Sequence, residues 1–322
     1  MLRLVTSQSP LGEITAALNS LTDHGGLLLA LSEKDDGGLT PLHHAAADAS
    51  PDVVKALLDS IPNEMMLTLL QMKSNMGSTP LFLTAGNPSA EVMRLMLSKI
   101  RDRKLLLEMI REKRTSDGQT SFHRAARFGT VEVLQTLIET IDNKLALHQL
   151  LREKTNEGAT PLLLAACNPS AGVIALLLTA IGDKNDYIEM VREKINTGWA
   201  TFHCTTGFGT VEVLQTLIKT IDNKLTLHQL LREKTNDGST PLMLAAGNPS
   251  ADVIALLLTA IGDKNDYIKM VREKANNGRT TFHYTARYGT AKVYIFLFRS
   301  QRPLYLAPFI CLQLVVCICC ST

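Results

Sequence analysis

The segment ADVIALLLTAI (Ala251–Ile261) carries apolar residues at Val253, Leu257 and Ile261 and again at Ile254 and Leu258, two rows at helical spacing. Apolar residues on two sides mark a helix wedged between neighbours rather than one lying on a surface. Just after it, NDYIKMVREK (Asn265–Lys274) places Tyr267, Met270 and Val271 at i, i+3 and i+4. KLALHQLLREK repeats the spacing with Leu147, Leu150 and Leu151, so a further short helix is predicted. No segment alternates apolar and polar residues in the manner of a half-buried strand. The pattern predicts an all-α chain.

Glycines punctuate these helices. Gly38, Gly77, Gly118, Gly158, Gly198, Gly238 and Gly278 follow one another at steps of 39, 41, 40, 40, 40 and 40 residues. After each comes one grammar: LTPLHHAA, STPLFLTA, QTSFHRAA, ATPLLLAA, WATFHCTT, STPLMLAA, RTTFHYTA. A Thr at the N-cap accepts a bond from an orphan backbone N–H, and a Pro at N1 loses nothing by lacking one. The small pairs Ala45-Ala46, Ala125-Ala126, Ala165-Ala166 and Ala245-Ala246 let a short helix lie close to its neighbour. Each unit then reads as three helical segments closed by a tight turn.

A longer period overlies this one. Val131–Thr210 and Val211–Thr290 differ at only 16 of 80 positions. Two sub-types alternate. One has Pro88, Pro169 or Pro249 between its first two helices, the other Gly129, Gly209 or Gly289. The duplicated unit was therefore a pair. At the other end, Leu11–Gly38 aligns with Val211–Gly238, so the first residues read as a unit without its first helix. Repetition of this kind suits an architecture whose units have no core of their own and stack to acquire one.

The grammar resembles the ankyrin repeat, with TPLH intact at Thr40–His43, over roughly residues 11–298. The usual ankyrin unit is about 33 residues. The surplus here falls where a β-hairpin tip normally projects, and is read as the third helix. The resemblance implies an α-solenoid of about six full units plus broken ends, roughly 60–70 Å long at 8–10 Å per helix layer. It also implies a non-catalytic scaffold that binds protein partners through the concave face. His43, His123, His203 and His283 recur at one position, where the resemblance implies a neutral ring bracing Thr to the next unit's backbone. In the Pro-type units Phe82, Leu163 and Met243 replace it, and at Ala200 the capping Thr is lost.

Composition narrows the function classes. A net charge of +2 offers no field for nucleic acid. Six cysteines include only Cys167 and Cys204 in the body, so no disulfide framework is expected and a reducing, cytoplasmic setting is. TGFGT (Thr206–Thr210) has no lysine and no preceding strand, unlike a phosphate loop. His148 and His228 lack a partner at metal-binding spacing and read as solvated. No catalytic, cofactor, metal or small-molecule site is expected. REK triplets from Arg111–Lys113 to Arg272–Lys274 predict an ion-pair ladder between units, not a basic groove.

Eight of the 16 differences between the long copies fall within positions 195–208, read as the loop and outer face of a first helix. Candidate partner contacts follow: Arg124, Arg127, Phe128, Trp199, Phe208, Arg279, Tyr284, Arg287 and Tyr288, the Arg and aromatic types that dominate interfaces. Residues 1–37 read as a partial repeat, 38–290 as the array, and 291–322 as a divergent apolar tail. Leu304–Cys320 is 17 residues long, at the short limit of a bilayer span of roughly 17–25. Three readings stay open for the tail: a membrane anchor, a capping helix or a truncated coding end. A membrane-tethered scaffold, and a host-targeting effector acting through its partner, are the alternatives to a plain adaptor.

Overall fold

A computed structural model describes residues 11–21 and 24–290, with 292, 293 and 297. Among these residues there are 21 helices and no strand. The expectations for the tail lie outside the described residues. Among those described, no helix is long and apolar enough to cross a membrane.

The helices fall into three rows. First helices are Pro41–Asp48, Pro80–Thr84, Ser121–Phe128, Pro161–Ala165, Thr201–Phe208, Pro241–Ala245 and Thr281–Tyr288. Second helices run from Leu11–Ser20 and Pro51–Ser60 to Val211–Ile221 and Ala251–Ile261. Third helices include Lys144–Leu151, Lys184–Arg192, Lys224–Leu230 and Lys264–Arg272, the last close to the predicted Asn265–Lys274. First helices pack on first helices and second on second helices of the adjacent units, while the third helices pack mainly on first and second helices. Leu11–Ser20 packs on the second helix Pro51–Ser60 and so stands in the second-helix row. Six complete units follow, numbered here 1 to 6 from Pro41, and Thr281–Tyr288 opens a seventh.

In units 2 to 6 the third helix starts at an Asn or Asp cap: Asn143 Oδ1 accepts the Leu145 and Ala146 N–H groups, and Asp183 Oδ1 those of Asn185 and Asp186. It ends where the chain turns through a glycine. The seven punctuating glycines have φ between 73° and 88°, a conformation that disfavours any Cβ. The hairpin finger is reduced to that turn, closed by bonds such as Thr155 N–H to Ala159 O at 3.0 Å. Successive turns are stitched by backbone, as in Asn156 N–H to Asp117 O and Asn196 N–H to Glu157 O, both 2.9 Å.

First-helix lengths alternate, at 8, 5, 8, 5, 8, 5 and 8 residues. The cause is the Asn-Pro-Ser turn of the even units. A residue before Pro is pushed out of the helical region. Here Asn168 Oδ1 accepts the Ser170 N–H at 2.8 Å, while its Nδ2 reaches back to donate to Ala126 O and Gly129 O of the preceding unit, each at 3.1 Å. Asn248 does the same to Thr206 O and Gly209 O, and Asn87 to Ala46 O and Ala49 O. The sequence reading missed these buried amides.

The odd units answer with histidine. Nδ1 of His123 accepts the Thr120 N–H at 3.1 Å and faces Thr120 Oγ1 at 2.8 Å, so the proton lies on Nε2, which donates to Ala159 O at 2.9 Å. His43 bonds Thr40 and Ser78 O likewise. His203 keeps the arrangement with Ala200 N–H and Glu233 O but has no hydroxyl to face. Units 1 and 3 are thus bonded forward by His beyond the turn glycine, and units 1, 3 and 5 each receive an Asn from the even unit that follows, while the His203 bond stays at the end of unit 5's own third helix. The opposite interface, even to odd, has no such brace. Its constraint is close approach: a Cβ on Gly209 would lie 2.7 Å from both Ala166 O and Thr205 O, and Gly129 and Gly289 are as tightly placed.

The outer rim carries the expected ladder. Lys113 Nζ meets Glu153 at 2.9 Å and Lys154 O at 2.9 Å, and Lys154 Nζ meets Glu193 at 3.0 Å. His148 and His228 depart from expectation. His148 Nε2 pairs with Asp186 of the next unit at 2.9 Å, and His228 Nε2 donates to Ile261 O at 3.1 Å. Both are half-buried cross-unit contacts rather than solvated rings, because their helix row faces the next unit's third helix.

Two outcomes are expected from these contacts. Gly209→Ala should destabilise the protein by about 1–3 kcal/mol through the carbonyl clash. Gly207→Ala, whose new Cβ would meet Trp199 and Leu244 at ordinary distances, should stabilise by about 0.5–1 kcal/mol. Urea unfolding of the two variants checks this, and equal shifts would remove the close-approach explanation. Burial holds His123 and His203 down to about 4 against an ordinary 6.5. As pH falls from 6.5 towards 4 the unfolded chain binds protons that the native rings refuse, so stability present above 6.5 is lost. Each of the two should remove roughly 2 kcal/mol between pH 7 and pH 5. Urea midpoints at the two pH values should converge by about that amount in His123→Leu. An unchanged pH dependence would show that the ring is protonated natively.

Candidate functional face

The eight-residue first helices of the odd units extend one turn beyond their even neighbours, and the added turn carries the exposed side chains. Phe128, Phe208 and Tyr288 occupy its last position in units 3, 5 and 7 and are 57%, 67% and 55% exposed. At the equivalent position of the even units stand Asn168 and Asn248, turned inward as braces. Arg127 and Arg287 precede two of the three rings. Their guanidinium carbons lie 5.3 Å from the Phe128 centroid and 5.1 Å from the Tyr288 centroid, distances at which a cation is held by a ring face. Phe208 is covered differently: Trp199 stacks on it at 5.4 Å with planes 12° apart.

The remaining candidates are less accessible. Arg124 lies over the rings of Phe82 (5.3 Å) and Phe128 (5.8 Å), against Gly86 of the preceding unit. Burial and the neighbouring Arg114 both work against its charge. Tyr284 is half-buried, with its hydroxyl 2.6 Å from Ser239 Oγ. Trp199 and Arg279 are half-buried in the turn before the helix. Arg127, Phe128, Phe208, Arg287 and Tyr288 form the open set.

The concentration of differences at 195–208 also changes meaning. Of those eight residues, Ala200, Cys204 and Thr206 are buried and Ile195, Trp199 and Gly207 half-buried; Thr197 and Phe208 are exposed. Ala159, Leu163, Leu164, Ala166 and Cys204 form a packing cluster between units 4 and 5, with Cys167, Ile195 and Trp199 against it. Most of the divergence is therefore repacking of an even-to-odd interface, not decoration of an outer face. Exposed Leu145 and Leu225 (66% and 70%) recur at one position on the third helix. The sequence signal for them is an apolar residue off the buried row, at the 80-residue period.

Family comparisons agree with this architecture. The sequence model for three copies of the ankyrin repeat matches residues 202–304, and that for a single ankyrin repeat matches residues 37–64. The chain belongs to the ankyrin repeat family. Among solved structures, the ankyrin repeat domain of Bcl-3, described as a unique member of the IkappaB protein family, is similar in fold. Its TM-score is 0.50 at 21% identity, covering 80% of this chain and 96% of the other. No curated protein matches the sequence. Ankyrin repeats are protein–protein interaction modules, and within this array the exposed candidates Arg127, Phe128, Phe208, Arg287 and Tyr288 all lie on first helices.

Trp199 is the sole tryptophan of the chain, which makes the face measurable. Phe208→Ala should uncover the indole and move its emission to longer wavelength. Little stability should be lost, because Phe208 is mostly exposed. An unshifted spectrum would show that the stack does not persist in solution.

Proposed function

We propose that this ankyrin array is a non-catalytic adaptor that binds a protein partner along its first-helix side, the concave side of an ankyrin stack. The observation that carries the reading is the row of exposed rings at one position in units 3, 5 and 7, with arginine beside two of them. A soluble surface has little reason to repeat large apolar groups at a fixed place, and Arg and aromatic anchors dominate interface energetics. Rings held by neighbouring units lose little freedom when a partner docks. The arginines favour an acidic segment on the partner. We place the adaptor in the cytoplasm, the setting that suits its free body cysteines.

Charge reversal at both arginines tests this. Proteins retained from a cell lysate by the immobilised full chain, identified by mass spectrometry, should include partners lost with Arg127→Glu plus Arg287→Glu. The thermal unfolding midpoint should stay within about 1–2 °C, since both side chains are exposed surface positions. Binding of an identified partner should also quench or shift Trp199 emission. Retention of the same partners by the double variant would refute the face.

A further inference from the structure

The even-to-odd interface brings one pair of positions face to face in each pair of units. Between units 2 and 3 they hold Gly86 and Arg124, and a Cβ on Gly86 would sit 2.8 Å from Arg124 Nε. Between units 6 and 7 the same sequence positions hold Gly247 and Tyr284, but there a Cβ on Gly247 would meet Tyr288 Cβ at 3.3 Å while Tyr284 reaches Ser239. Between units 4 and 5 both are cysteine. Cys204 is 6% exposed, inside the cluster of Ala159, Leu163, Leu164 and Ala166, and half-buried Cys167 packs against it. The two thiols lie within hydrogen-bonding reach of each other. Arg127, which occupies in unit 3 the position that Cys167 occupies in unit 4, directs its positive charge at Cys167.

We propose that Cys167 and Cys204 are a peroxide-responsive thiol pair that closes into a reversible disulfide bolting unit 4 to unit 5. The chemistry divides between the two sulfurs. The hydrogen bond from Cys204, with the charge of Arg127, holds the Cys167 thiol below the usual thiol range, which favours the thiolate on Cys167 rather than on Cys204. Cys204, whose proton sits in that bond and whose surroundings are apolar, is pushed up and stays protonated. Cys167 is the more accessible of the two and the one that attacks. Its thiolate displaces hydroxide from hydrogen peroxide: an S–O bond forms, the O–O bond breaks, and the hydroxide takes a proton to become water. The resulting sulfenic acid is then attacked by the Cys204 sulfur. The S–S bond forms, the S–O bond breaks, and the oxygen leaves as a second water carrying the Cys204 proton. Two thiols lose two electrons and one peroxide gains them. A dithiol reverses the reaction by exchange.

The bond would cross the interface that lacks a His–Asn brace and would lie beneath Trp199, which packs on the same cluster. Closure therefore adds a covalent link between two first helices whose cross-unit bonds otherwise lie at the turns and outer rim, such as Tyr187 Oη to Thr220 O at 2.8 Å and Lys194 Nζ to Lys234 O at 2.9 Å, and its formation has a spectroscopic reporter.

The test uses the full chain treated with a few equivalents of hydrogen peroxide, unfolded in excess N-ethylmaleimide and digested with trypsin. Lysines and arginines between residues 167 and 204 place the two cysteines on separate peptides. The expected product is a linked peptide pair containing Cys167 and Cys204 that disappears on treatment with dithiothreitol. It should be accompanied by a reversible change in Trp199 emission and a thermal midpoint several degrees higher. Cys167→Gly, the residue its counterpart Gly247 carries, should fold and abolish both changes, leaving Cys204 fully alkylated after unfolding. Recovery of both cysteines as free alkylated thiols would overturn the proposal. So would oxidation of Cys167 to a sulfinic acid, or its linkage to a cysteine other than Cys204.

Discussion

The structure rests on side-chain N–H groups that donate across units to buried backbone carbonyls. A first helix ends between layers, where its last carbonyls have neither an intrahelical partner nor water. Leaving such a group unpaired costs about 1–3 kcal/mol. Asn168 supplies donors to Ala126 O and Gly129 O, and His123 supplies one to Ala159 O. Because each donor is anchored on its own chain, through Ser170 N–H for the amide and Thr120 N–H for the ring, its direction is fixed. The units are thereby held in register and not merely in contact. The same requirement fixes the tautomer of the ring, keeps it neutral, and makes the braces sensitive to acid.

These donors act on only one side of each odd unit, so the array has two kinds of interface. Odd-to-even is specified by hydrogen bonds and tolerates little change. Even-to-odd lacks those His and Asn donors between first helices and relies there on the fit of Gly129, Gly209 and Gly289 under a neighbour's carbonyl and on the side chains beside them, with hydrogen bonds such as Tyr187 Oη to Thr220 O kept to the rim and turns. Arg124 over Phe82, Cys204 in the cluster that Cys167 packs against, and Tyr284 on Ser239 are three different contacts made from one position of the first helix. A single unit carries half of each specification and could not be copied alone without presenting a wrong face. Duplication by pairs follows from this, as does the clustering of differences on one side of unit 5.

Much of this was legible in the sequence, and the exceptions share a cause. The three helices, their caps and the glycine turns are set by residues within about 10 positions of one another, at a period that repeats; the bracing histidines, whose acceptor carbonyls lie 30 to 36 residues away, were legible through the family resemblance. Asn168 was passed over because Asn-Pro-Ser reads as a local turn, which it also is; its two other bonds span 42 and 39 residues. His148 was read as solvated because its carboxylate partner, Asp186, is 38 residues away on the next unit. Arg124 and Tyr284 were assigned outward because type alone does not say which side of a short helix meets the preceding layer. Phe128, Phe208 and Tyr288 were placed correctly as accessible, since the last turn of that helix has no layer above it.

The braces also set the period of the face that the array presents. The position that holds Phe128, Phe208 or Tyr288 in an odd unit holds Asn168 or Asn248 in an even one, and the amide can brace only by turning inward. An exposed ring can therefore recur only in every second unit. At 8–10 Å per layer that separates successive rings by roughly 16–20 Å. A face built from identical units would offer an anchor at every layer and would fit any apolar partner in several registers. Spacing the anchors two layers apart removes the intermediate registers. The feature that gives the array its rigidity thus also gives its surface a direction and a scale, which a partner on the proposed face would have to match.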